Sequence, residues 1–491
     1  MKISQVFSSR FIEDIEKNLL QSNIEDKEVT IEYVDPQQFL VPERFDLLCK
    51  LYYIECRENN RDMKFAKELY KENIRVFTGG RYTENWEPEK NSIEKYFSVF
   101  DKLIDEIKVN GFDTKKSIVP VGKDNIILDG AHRTAIAIYF GIELPIVRIE
   151  TKSWICDYNR FSDMPAEYLD FMAYLFMKYC KKTYYLGVIW PVSYYDPNYD
   201  LALRFIKENS KVVYLKRTYL NYNGLTQFAM HAYMDQHWAG GFEKKFEGIH
   251  DVVNERYAVC APVTIVIIYD KAIEEIRTIK NNVRMILHGG FERIHITDTK
   301  EEALRLGKMI LNENSINLLN KGYIMRYPQF FDIFLKYREN VLKNNLEDDV
   351  CVDTGAVLAI HGLRDTNDLD YLSNTRSFSK KSGEYDCHNQ EYYDNSGISI
   401  CVDDIIYGWF NHLYCFDIKF SSLKSVINMK RQRGEPKDAM DIKIIETMHS
   451  NCIYEKTYLK DKKKRYVMYV LKRIKRKVKN LIIKCVGMVV K

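Results

Sequence analysis

The 491-residue sequence lacks the cysteine spacings that build disulfide frameworks or zinc sites. Its eleven cysteines are scattered, with no Cys-x-x-Cys pair and no close cluster of cysteine and histidine. Because both kinds of site depend on such spacings, we exclude them and expect reduced thiols. An N-terminal signal pattern and an uncharged run of about twenty residues are missing too. These absences predict a cytoplasmic protein without a spanning helix.

Acidic residues are missing from one long segment, Lys462 to Lys491, which holds twelve lysines and arginines. Setting these twelve aside leaves 61 of the 73 basic residues against 69 acidic ones, so the preceding chain carries a net charge of about −8. A body of this charge lacks the broad positive surface that binding to a phosphate backbone requires. Nucleic acid is therefore not expected as a partner.

Apolar residues recur within that basic segment at steps of three and four, from Val467 to Val489. The pattern predicts an amphipathic basic helix over 460–491. Such helices lie in the plane of an anionic membrane, with the apolar face among the lipids and the cations among the head groups. We therefore expect 462–491 to bind the inner face of the cell membrane peripherally. Nucleic-acid binding and packing on the acidic body are the alternatives.

The length and the changes of pattern predict an α+β or α/β multidomain protein, since 491 residues exceed a single core. Strand and helix patterns alternate along the chain, and their breaks suggest the boundaries. The predicted units are a domain at 1–150, a helical bridge at 151–182, a domain at 183–321, a domain at 322–450 and a helix at 460–491.

The third domain carries an Asp-x-Asp pair, Asp368 and Asp370, with apolar neighbours. On a strand, side chains two residues apart point to one face. Two carboxylates on one face can coordinate Mg²⁺, which takes oxygen ligands and bridges substrate phosphates. The glycines before the pair suit a close approach of backbone to phosphate. Taken alone, the pair could equally be a solvated strand end.

A second motif, MKRQRGEPKDAMDI, begins at Met429. With the Asp-x-Asp segment it resembles the bacterial nucleotidyltransferase superfamily, of the abortive-infection toxin and minimal nucleotidyltransferase types, over Asp353 to Glu446. The resemblance implies a nucleotidyltransferase fold that uses Mg²⁺ and a nucleoside triphosphate. It assigns Asp368 and Asp370 to catalysis and metal binding. The nucleotide-binding residues that it implies, beside the triphosphate or on the closing helix, are Gly362, Arg364, Lys437, Asp438 and Asp441.

The third catalytic carboxylate is assigned to Asp417, whose apolar neighbours indicate a strand, with Asp403 and Asp404 as rivals. One departure from the family is that its usual Gly-Ser pair is Gly362-Leu363 here. If no third acid serves, the domain would bind nucleotide without catalysis.

The first domain carries Asp129, Gly130, His132 and Arg133 between an apolar strand and a helix. Backbone N–H groups at a helix start favour an anion, and a guanidinium can donate two hydrogen bonds to phosphate. His132 could transfer a proton or hydrogen-bond phosphate. The alternative is a capped helix with a core histidine.

This motif resembles the phosphate loop of the ParB/sulfiredoxin fold, whose members include DNA-segregation CTPases, sulfiredoxin and small-molecule kinases. The resemblance implies that these four residues bind a nucleotide or a phosphorylated substrate. The acidic body favours the small-molecule branch of the fold.

The second domain carries His295 at the end of a predicted strand, with Arg277 and Arg284 upstream. The order of strands and helices resembles nucleoside diphosphate kinase, which implies a ferredoxin-like α+β domain. In that family a histidine carries phosphate, but the strand-end lysine is Trp190 here and the residue after the histidine is Ile296. We therefore favour a core histidine that ends a strand.

These domains and the membrane-surface helix predict chemistry on phosphate-containing metabolites, and the layout resembles proteins of bacterial capsule and surface-polysaccharide loci. The leading hypothesis is a Mg²⁺-dependent nucleotidyltransferase that modifies a small molecule or sugar phosphate, with a coupled kinase-like domain. One alternative is a toxin-like enzyme that nucleotidylates tRNA or protein. The other is a non-catalytic, nucleotide-binding scaffold at the membrane surface.

Overall fold

The structure, a computed structural model, describes residues 7, 12–13, 28–83, 90–114, 118–374, 385–447, 471 and 478. Over these ranges the protein is mixed α+β, with many helices and three small sheets. The chain divides into two compact units, with the boundary between Lys182 and Thr183. The predicted helix at 460–491 lies outside the described residues, apart from Leu471 and Val478. No helix in the described ranges is long and apolar enough to cross a membrane.

The first unit contains a three-stranded sheet with β1 (Glu32–Val34), β2 (Val119–Gly122) and β3 (Leu144–Ile149). The central β3 runs antiparallel to β1 and parallel to β2. A short 3-10 helix covers Pro36–Phe39, and the α-helices are α1 (Leu47–Glu58), α2 (Lys64–Phe77), α3 (Ile93–Asn110), α4 (Ala131–Phe140) and α5 (Ala166–Tyr179). The apolar strand predicted before α4 is reduced to a single bridge between Ile127 and Val121.

Helix α1 is the core of the first unit, because α2, α4 and α5 pack around it. The ring of Tyr52 contacts Phe171 of α5 edge-on, with 4.8 Å between ring centroids. Tyr53 packs on Tyr70 of α2 at 5.5 Å. The segment predicted as a bridge, 151–182, thus contributes α5 to this core and belongs to the first unit.

The second unit contains two sheets, the first with β4 (Tyr184–Ile189), β5 (Lys211–Thr218), β6 (Val263–Tyr269) and β7 (Ile294–Ile296). These strands are antiparallel neighbours in the order β5-β6-β4-β7. The accompanying helices are α6 (Tyr199–Asn209), α7 (Tyr222–Tyr233), α8 (Ile249–Arg256), α9 (Ile273–Ile286), α10 (Lys300–Leu311) and α11 (Glu313–Lys321), with 3-10 helices at Pro191–Tyr195 and His237–Ala239. Apolar residues of α6 and α9 cover one face of this sheet.

The other sheet of the second unit has β8 (Cys351–Val352), β9 (Leu369–Leu372), β10 (Tyr385–His388), β11 (His412–Cys415) and β12 (Ile418–Ser421). Its order is β10-β9-β8-β12-β11, with β10 parallel to β9, β12 parallel to β8 and the other pairs antiparallel. The helices around it are α12 (Pro328–Lys343), α13 (Gly355–Ile360), α14 (Gln390–Asn395), α15 (Val402–Tyr407), α16 (Leu423–Arg433) and α17 (Pro436–Thr447).

Helices cover both faces of this mixed sheet. Residues of α14, α15 and α16 form a buried cluster with Cys351 and Leu372 on one face. On the other face, α12 places Phe334 against Phe420 and Tyr337 against Tyr371, at ring distances of 5.4 and 5.5 Å.

The boundary predicted at 321 and 322 does not separate compact units. At the start of α11, Asn312 donates to the Trp409 carbonyl at 2.8 Å, and Asn314 donates to the Phe410 carbonyl at 3.0 Å. The ring of Phe416 contacts aromatic rings from both predicted domains, namely His231, Phe242, Phe246 and Phe331. Residues 183–321 and 322–447 therefore belong to one compact unit.

Candidate functional site

The Asp-x-Asp pair lies where β9 begins. Asp368 precedes the strand and is exposed, whereas Asp370 is on the strand with 19% of its side chain exposed. Each carboxylate accepts a hydrogen bond from a threonine hydroxyl, Asp368 from Thr366 and Asp370 from Thr354. The structure thus holds the two predicted metal-binding carboxylates at one corner of the sheet, each fixed by its own hydroxyl.

Two further side chains flank Asp370. Asp353, the residue after β8, donates its backbone N–H to the Asp370 carbonyl at 2.8 Å, and its own carboxylate is buried. One oxygen of that carboxylate accepts the Tyr393 hydroxyl at 2.6 Å, and Oδ1 has no partner among the described residues. On the β10 side, His388 Nε2 lies 3.9 Å from Asp370 Oδ1. Sequence reasoning did not select Asp353, Tyr393 or His388. The one available signal was an aspartate directly after a short apolar run.

Negative charge accumulates at this corner. Burial raises the pKa of Asp370, and the carboxylates of Asp368 and Asp353 raise it further, against the opposing effects of Thr354 and His388. A cation would relieve this repulsion, and carboxylate oxygens are the ligands that Mg²⁺ prefers. Within the described ranges no group of three or more histidines, cysteines and acids is placed to hold a metal ion. A cation bound by the two carboxylates would thus take further oxygens from substrate or water.

The backbone is strained at the same corner. Thr354 has φ 52°, an outlying value for a β-branched residue, and its hydroxyl is the one that Asp370 accepts. Such strain persists only where the surrounding structure enforces it, and it is concentrated at functional sites.

Gly355, and not Gly362, faces this corner. Helix α13 begins at Gly355, where a Cβ would lie 3.0 Å from Thr366 Oγ1 and 3.4 Å from Arg364 Nη2. Gly362 follows the other end of α13 with φ 70°, and a Cβ there would lie 2.8 Å from the Cβ of Tyr323. The predicted nucleotide contact of Gly362 gains no support from this position, because the residue serves to end the helix.

Arg364 joins the two sequence motifs. Its guanidinium donates to both carboxylate oxygens of Asp441 on α17, 77 residues later, at 2.7 and 3.1 Å. The buried Lys430 of α16 contacts the same carboxylate at 2.8 Å and Asp438 at 2.9 Å. A bidentate arginine–carboxylate pair has a well-defined geometry. The closing helix is thereby tied to the segment that carries Asp368.

Lys430 takes the place in this network that the sequence assigned to Lys437. The Lys437 side chain is 68% exposed and pairs with Glu435 at 3.2 Å. Arg433 donates two hydrogen bonds to Asp438, at 3.0 and 2.7 Å. Burial alone would raise the pKa of Asp438, but the hydrogen bonds from Arg433 and Lys430 lower it to about 2. Asp438 and Asp441 thus act as ionised supports behind the corner, whereas Lys437 points to solvent.

Asp417 lies at the opposite end of the sheet. Phe416 and Asp417 form the two-residue turn between β11 and β12, both with positive φ, and Arg338 holds Asp417 at 2.9 Å. Strand β12 runs parallel to β8, and its last residue, Ser421, lies level with Asp353. Asp417 is four extended residues from Ser421, a distance of about 13 Å. Asp417 is therefore not placed to be the third carboxylate, and its carboxylate is held by an arginine.

The rival acids are not at the corner either. Asp403 and Asp404 lie in the first turn of α15. Asp403 accepts a hydrogen bond from Asn374, which follows the C-terminal end of β9, whereas Asp370 is near its beginning. The fold instead brings two other acids to Asp370, namely Asp353 after β8 and Asp386, which is its register partner on β10.

In the first unit, Asp129, Gly130, His132 and Arg133 come together at the start of α4. Gly130 precedes the helix with φ 84°, a conformation that favours glycine. Arg133 donates to the Ile118 carbonyl at 2.8 Å and to Asp129 at 3.2 Å. His132 Nε2 lies 2.7 Å from the Tyr70 hydroxyl. The four predicted residues are neighbours in the fold.

Positive charge accumulates around His132. Burial lowers its pKa well below the ordinary value, and nearby cations lower it further, namely Lys90, Lys50, Arg133 and Arg44. Lys50 and Arg44 share the buried carboxylate of Asp46, at 3.4 and 2.7 Å. Sequence reasoning missed Arg44, Asp46 and Lys50. Their signal was a charged pair at four-residue spacing, Asp46 and Lys50, with Arg44 two residues earlier, at the start of an apolar helical pattern.

His295 lies on β7, largely buried, with Nε2 2.8 Å from Glu302 Oε1 of α10. Its ring contacts Tyr233 edge-on at 5.2 Å. This placement agrees with the interpretation as a packed histidine with a satisfied ring nitrogen.

Comparisons of the chain with protein-family models, with curated proteins and with solved structures found no match. The roles of these residues are therefore argued from their own geometry.

Proposed function

We propose that the second unit is a Mg²⁺-dependent nucleotidyltransferase that transfers a nucleotide from a nucleoside triphosphate to a small molecule or sugar phosphate. The observation that carries this proposal is the pair between Arg364 and Asp441, which joins two motifs 77 residues apart. A solvated Asp-x-Asp at a strand end would need no such support. A buried set of charges that positions one corner of a sheet is typical of a binding site.

Asp368 and Asp370 would hold the Mg²⁺. The donor set fits, since two carboxylates with hard oxygens share an accessible corner, and the buried carboxylate of Asp353 adds to the local negative charge. When bound, the metal supplies positive charge against the triphosphate and the leaving phosphate. The hydroxyls of Thr354 and Thr366 hold the two carboxylates in place for this role.

Arg364 would meet the triphosphate beside the metal. Its side chain is about one-third exposed, and it lies next to Gly355, where the missing side chain leaves the backbone accessible. Asp441 and Lys430 act on it as positioning residues, since they set the orientation of the guanidinium from behind.

The sheet orders support the finer fold proposals. The order β5-β6-β4-β7 fits a ferredoxin-like domain. Strands β4 and β5 flank β6 and run parallel to each other, and α6 connects them along the chain. The mixed sheet with the Asp-x-Asp pair at its β9 corner fits a nucleotidyltransferase domain. The mixed β1-β3-β2 sheet with the 129–133 turn before α4 fits a ParB/sulfiredoxin-like domain.

The test is nucleotide incorporation by the purified full-length protein, with Mg²⁺ and each of the four α-labelled ribonucleoside triphosphates. Sugar phosphates, tRNA and protein are offered as acceptors in separate reactions. We expect incorporation into the small-molecule acceptors, lost in the double variant Asp368→Asn plus Asp370→Asn. The control, Asp417→Asn at the other end of the sheet, should retain it.

Three outcomes would count against the proposal. Equal turnover by the wild type and the double variant would show that the carboxylate pair takes no part in the reaction. Incorporation into tRNA or protein alone would favour a toxin-like enzyme. Nucleotide binding without turnover on any acceptor would favour a non-catalytic scaffold.

For the first unit we propose that Asp129, Gly130, His132 and Arg133 bind the phosphate of a nucleotide or a phosphorylated substrate. The supporting observation is the excess of cations around the buried, neutral His132. A coupled kinase-like step would use this site.

Peripheral membrane binding remains a proposal about 462–491, which lies outside the described residues except at two positions. Cosedimentation with vesicles that contain anionic lipid is expected for the full chain and not for a chain that ends at Asp461. Equal cosedimentation of both would contradict it.

A further inference from the structure

A second charged cluster in the second unit lies around Tyr233. Arg256 of α8 is 5% exposed, and its guanidinium lies 5.9 Å from the Tyr233 ring centroid and 5.7 Å from that of Trp190. Arg284 of α9 belongs to the same cluster, because both arginines reach Phe291. Arg256 donates to the Phe291 carbonyl at 3.3 Å, and the Arg284 guanidinium lies 4.4 Å from its ring centroid.

Neither guanidinium is paired with a buried carboxylate among the described residues. The carboxylate paired with Arg256 is that of Glu255, 3.6 Å away and largely exposed. Arg284 makes no ion pair with a carboxylate in the part of the chain that the structure describes. Burial lowers the pKa of Arg284, Tyr233 and Glu292 raise it, and the like charge of Arg256 lowers it. Glu292 also accepts the Gly290 N–H through both oxygens, at 2.9 and 3.0 Å.

Buried hydrogen-bond donors show the same deficit. The Nε atoms of Arg256 and Arg284 and the indole Nε1 of Trp190 are buried without a partner among the described residues. Buried donors in proteins are nearly always paired, because an unpaired one destabilises the fold. Three such donors, two of them on guanidinium groups, are available to the oxygens of an oxyanion.

The cluster has an aromatic rim. Phe291 is 73% exposed although it packs on Arg284, and Trp238 is 48% exposed with its ring 5.0 Å from Tyr233. Exposed aromatic rings beside a charged site offer a surface for a flat or apolar group.

We propose that Arg256, Arg284 and Trp190 bind a phosphate monoester whose organic group rests on Phe291 or Trp238. Two guanidiniums match the charge of a phosphate dianion. Arg256 already donates to the Val252 and Phe291 carbonyls and Arg284 to Asn281 and the Ile294 carbonyl, so the Nε–H groups are the donors left for its oxygens. The site belongs to the four-stranded sheet and carries the charge opposite to that of the Asp368 corner. It therefore takes a second ligand and does not depend on nucleotidyl transfer.

The test is isothermal titration of the full-length protein with inorganic phosphate and with phenyl phosphate. Both should bind saturably, phenyl phosphate more tightly. Arg284→Gln should weaken binding about tenfold or more, since charge-assisted hydrogen bonds are lost. The matched control is Arg277→Gln, which removes an exposed arginine from the same helix and should leave the affinity unchanged. Repeating the titration in Arg133→Gln separates this site from the one in the first unit.

A second measurement uses the unmodified protein and so does not depend on the folding of a variant. Arginines are modified with phenylglyoxal and mapped by mass spectrometry, with and without phenyl phosphate. The ligand should protect Arg284 and leave the reaction of Arg277 unchanged. No saturable binding, equal affinity of Arg284→Gln and wild type, or equal protection of both arginines would each overturn the site.

Discussion

The charged clusters around Asp370 in the second unit and His132 in the first unit have opposite charge balances. At Asp370, the carboxylates of Asp368 and Asp353 add to each other and raise its pKa beyond the effect of burial. At His132, cations converge and lower the pKa below what burial alone would give. The first corner is suited to a cation, the second to an anion. The Asp370 cluster would therefore bind phosphate through a metal ion, whereas the His132 cluster would bind it by direct contact.

The supports behind the two clusters are alike. Lys430 is buried between Asp438 and Asp441, and Arg44 is buried against Asp46. A buried ion pair contributes little net stability, but removal of one partner leaves an uncompensated charge. The comparison therefore predicts that support residues govern folding, whereas the residues at the open corners govern binding.

The largest effect is expected for Lys430→Met, which removes the buried ammonium shared by Asp438 and Asp441 and leaves them only Arg433 and Arg364. We expect a loss of about 3 kcal/mol in the free energy of unfolding, because two charge-assisted contacts are lost, measured by urea denaturation at pH 7. Lys437→Met, an exposed lysine on the same motif, should change it by less than about 0.5 kcal/mol. Similar losses in both variants would contradict the predicted difference between buried support residues and surface residues.

Magnesium should stabilise the protein through the Asp370 corner. At a free Mg²⁺ concentration one hundred times the dissociation constant, the expected gain is about 2.7 kcal/mol, measured by urea denaturation with and without Mg²⁺. Asp370→Asn should abolish the gain, and Arg133→Gln should keep it. A gain that survives Asp370→Asn would place the cation elsewhere.

Arg133→Gln should destabilise the first unit moderately, because the Ile118 carbonyl and Asp129 lose a charged donor. We expect about 1.5–3 kcal/mol in the free energy of unfolding. Arg148→Gln, whose pair with Glu32 is exposed, should cost at most about 1 kcal/mol. A larger loss in Arg148→Gln than in Arg133→Gln would show that Arg133 contributes little to stability. Its guanidinium would then be available to a ligand.

The smallest effect is a pH dependence from His132. Its folded-state pKa is lowered by burial and by nearby cations, so the unfolded chain binds a proton that the folded protein does not. Its contribution to stability is full above pH 6.5 and is lost as the pH falls towards the folded-state pKa, by about 1.4 kcal/mol per pH unit. Relative to the wild type, His132→Gln should flatten the stability profile from pH 8 to 5.5, whereas His237→Gln at an exposed position should not.

Much of the candidate site was predictable from short-range patterns. The spacing of Asp368 and Asp370, together with the leucines beside them, predicted a strand, and β9 carries Asp370 with Asp368 directly before its first residue. The 129–133 turn before a helix was predicted equally well, because a glycine with positive φ must precede α4. Pairings across long separations were missed. Lys430 and Lys437 are both lysines of one motif. Only the tertiary structure shows that Lys430 is the one that is buried between two carboxylates and supports the site.

The sequence by itself determined the charge of each segment, the mixed α+β class, and the local motif that contains Asp368, Asp370 and Arg364. Periodicity and composition act over short distances, so they are readable along the chain. The tertiary structure alone decided that Asp417 sits at the far end of the sheet, that Asp353 joins Asp370 and that Arg364 meets Asp441. Those outcomes depend on strand order and direction, which arise from contacts between residues far apart in the chain.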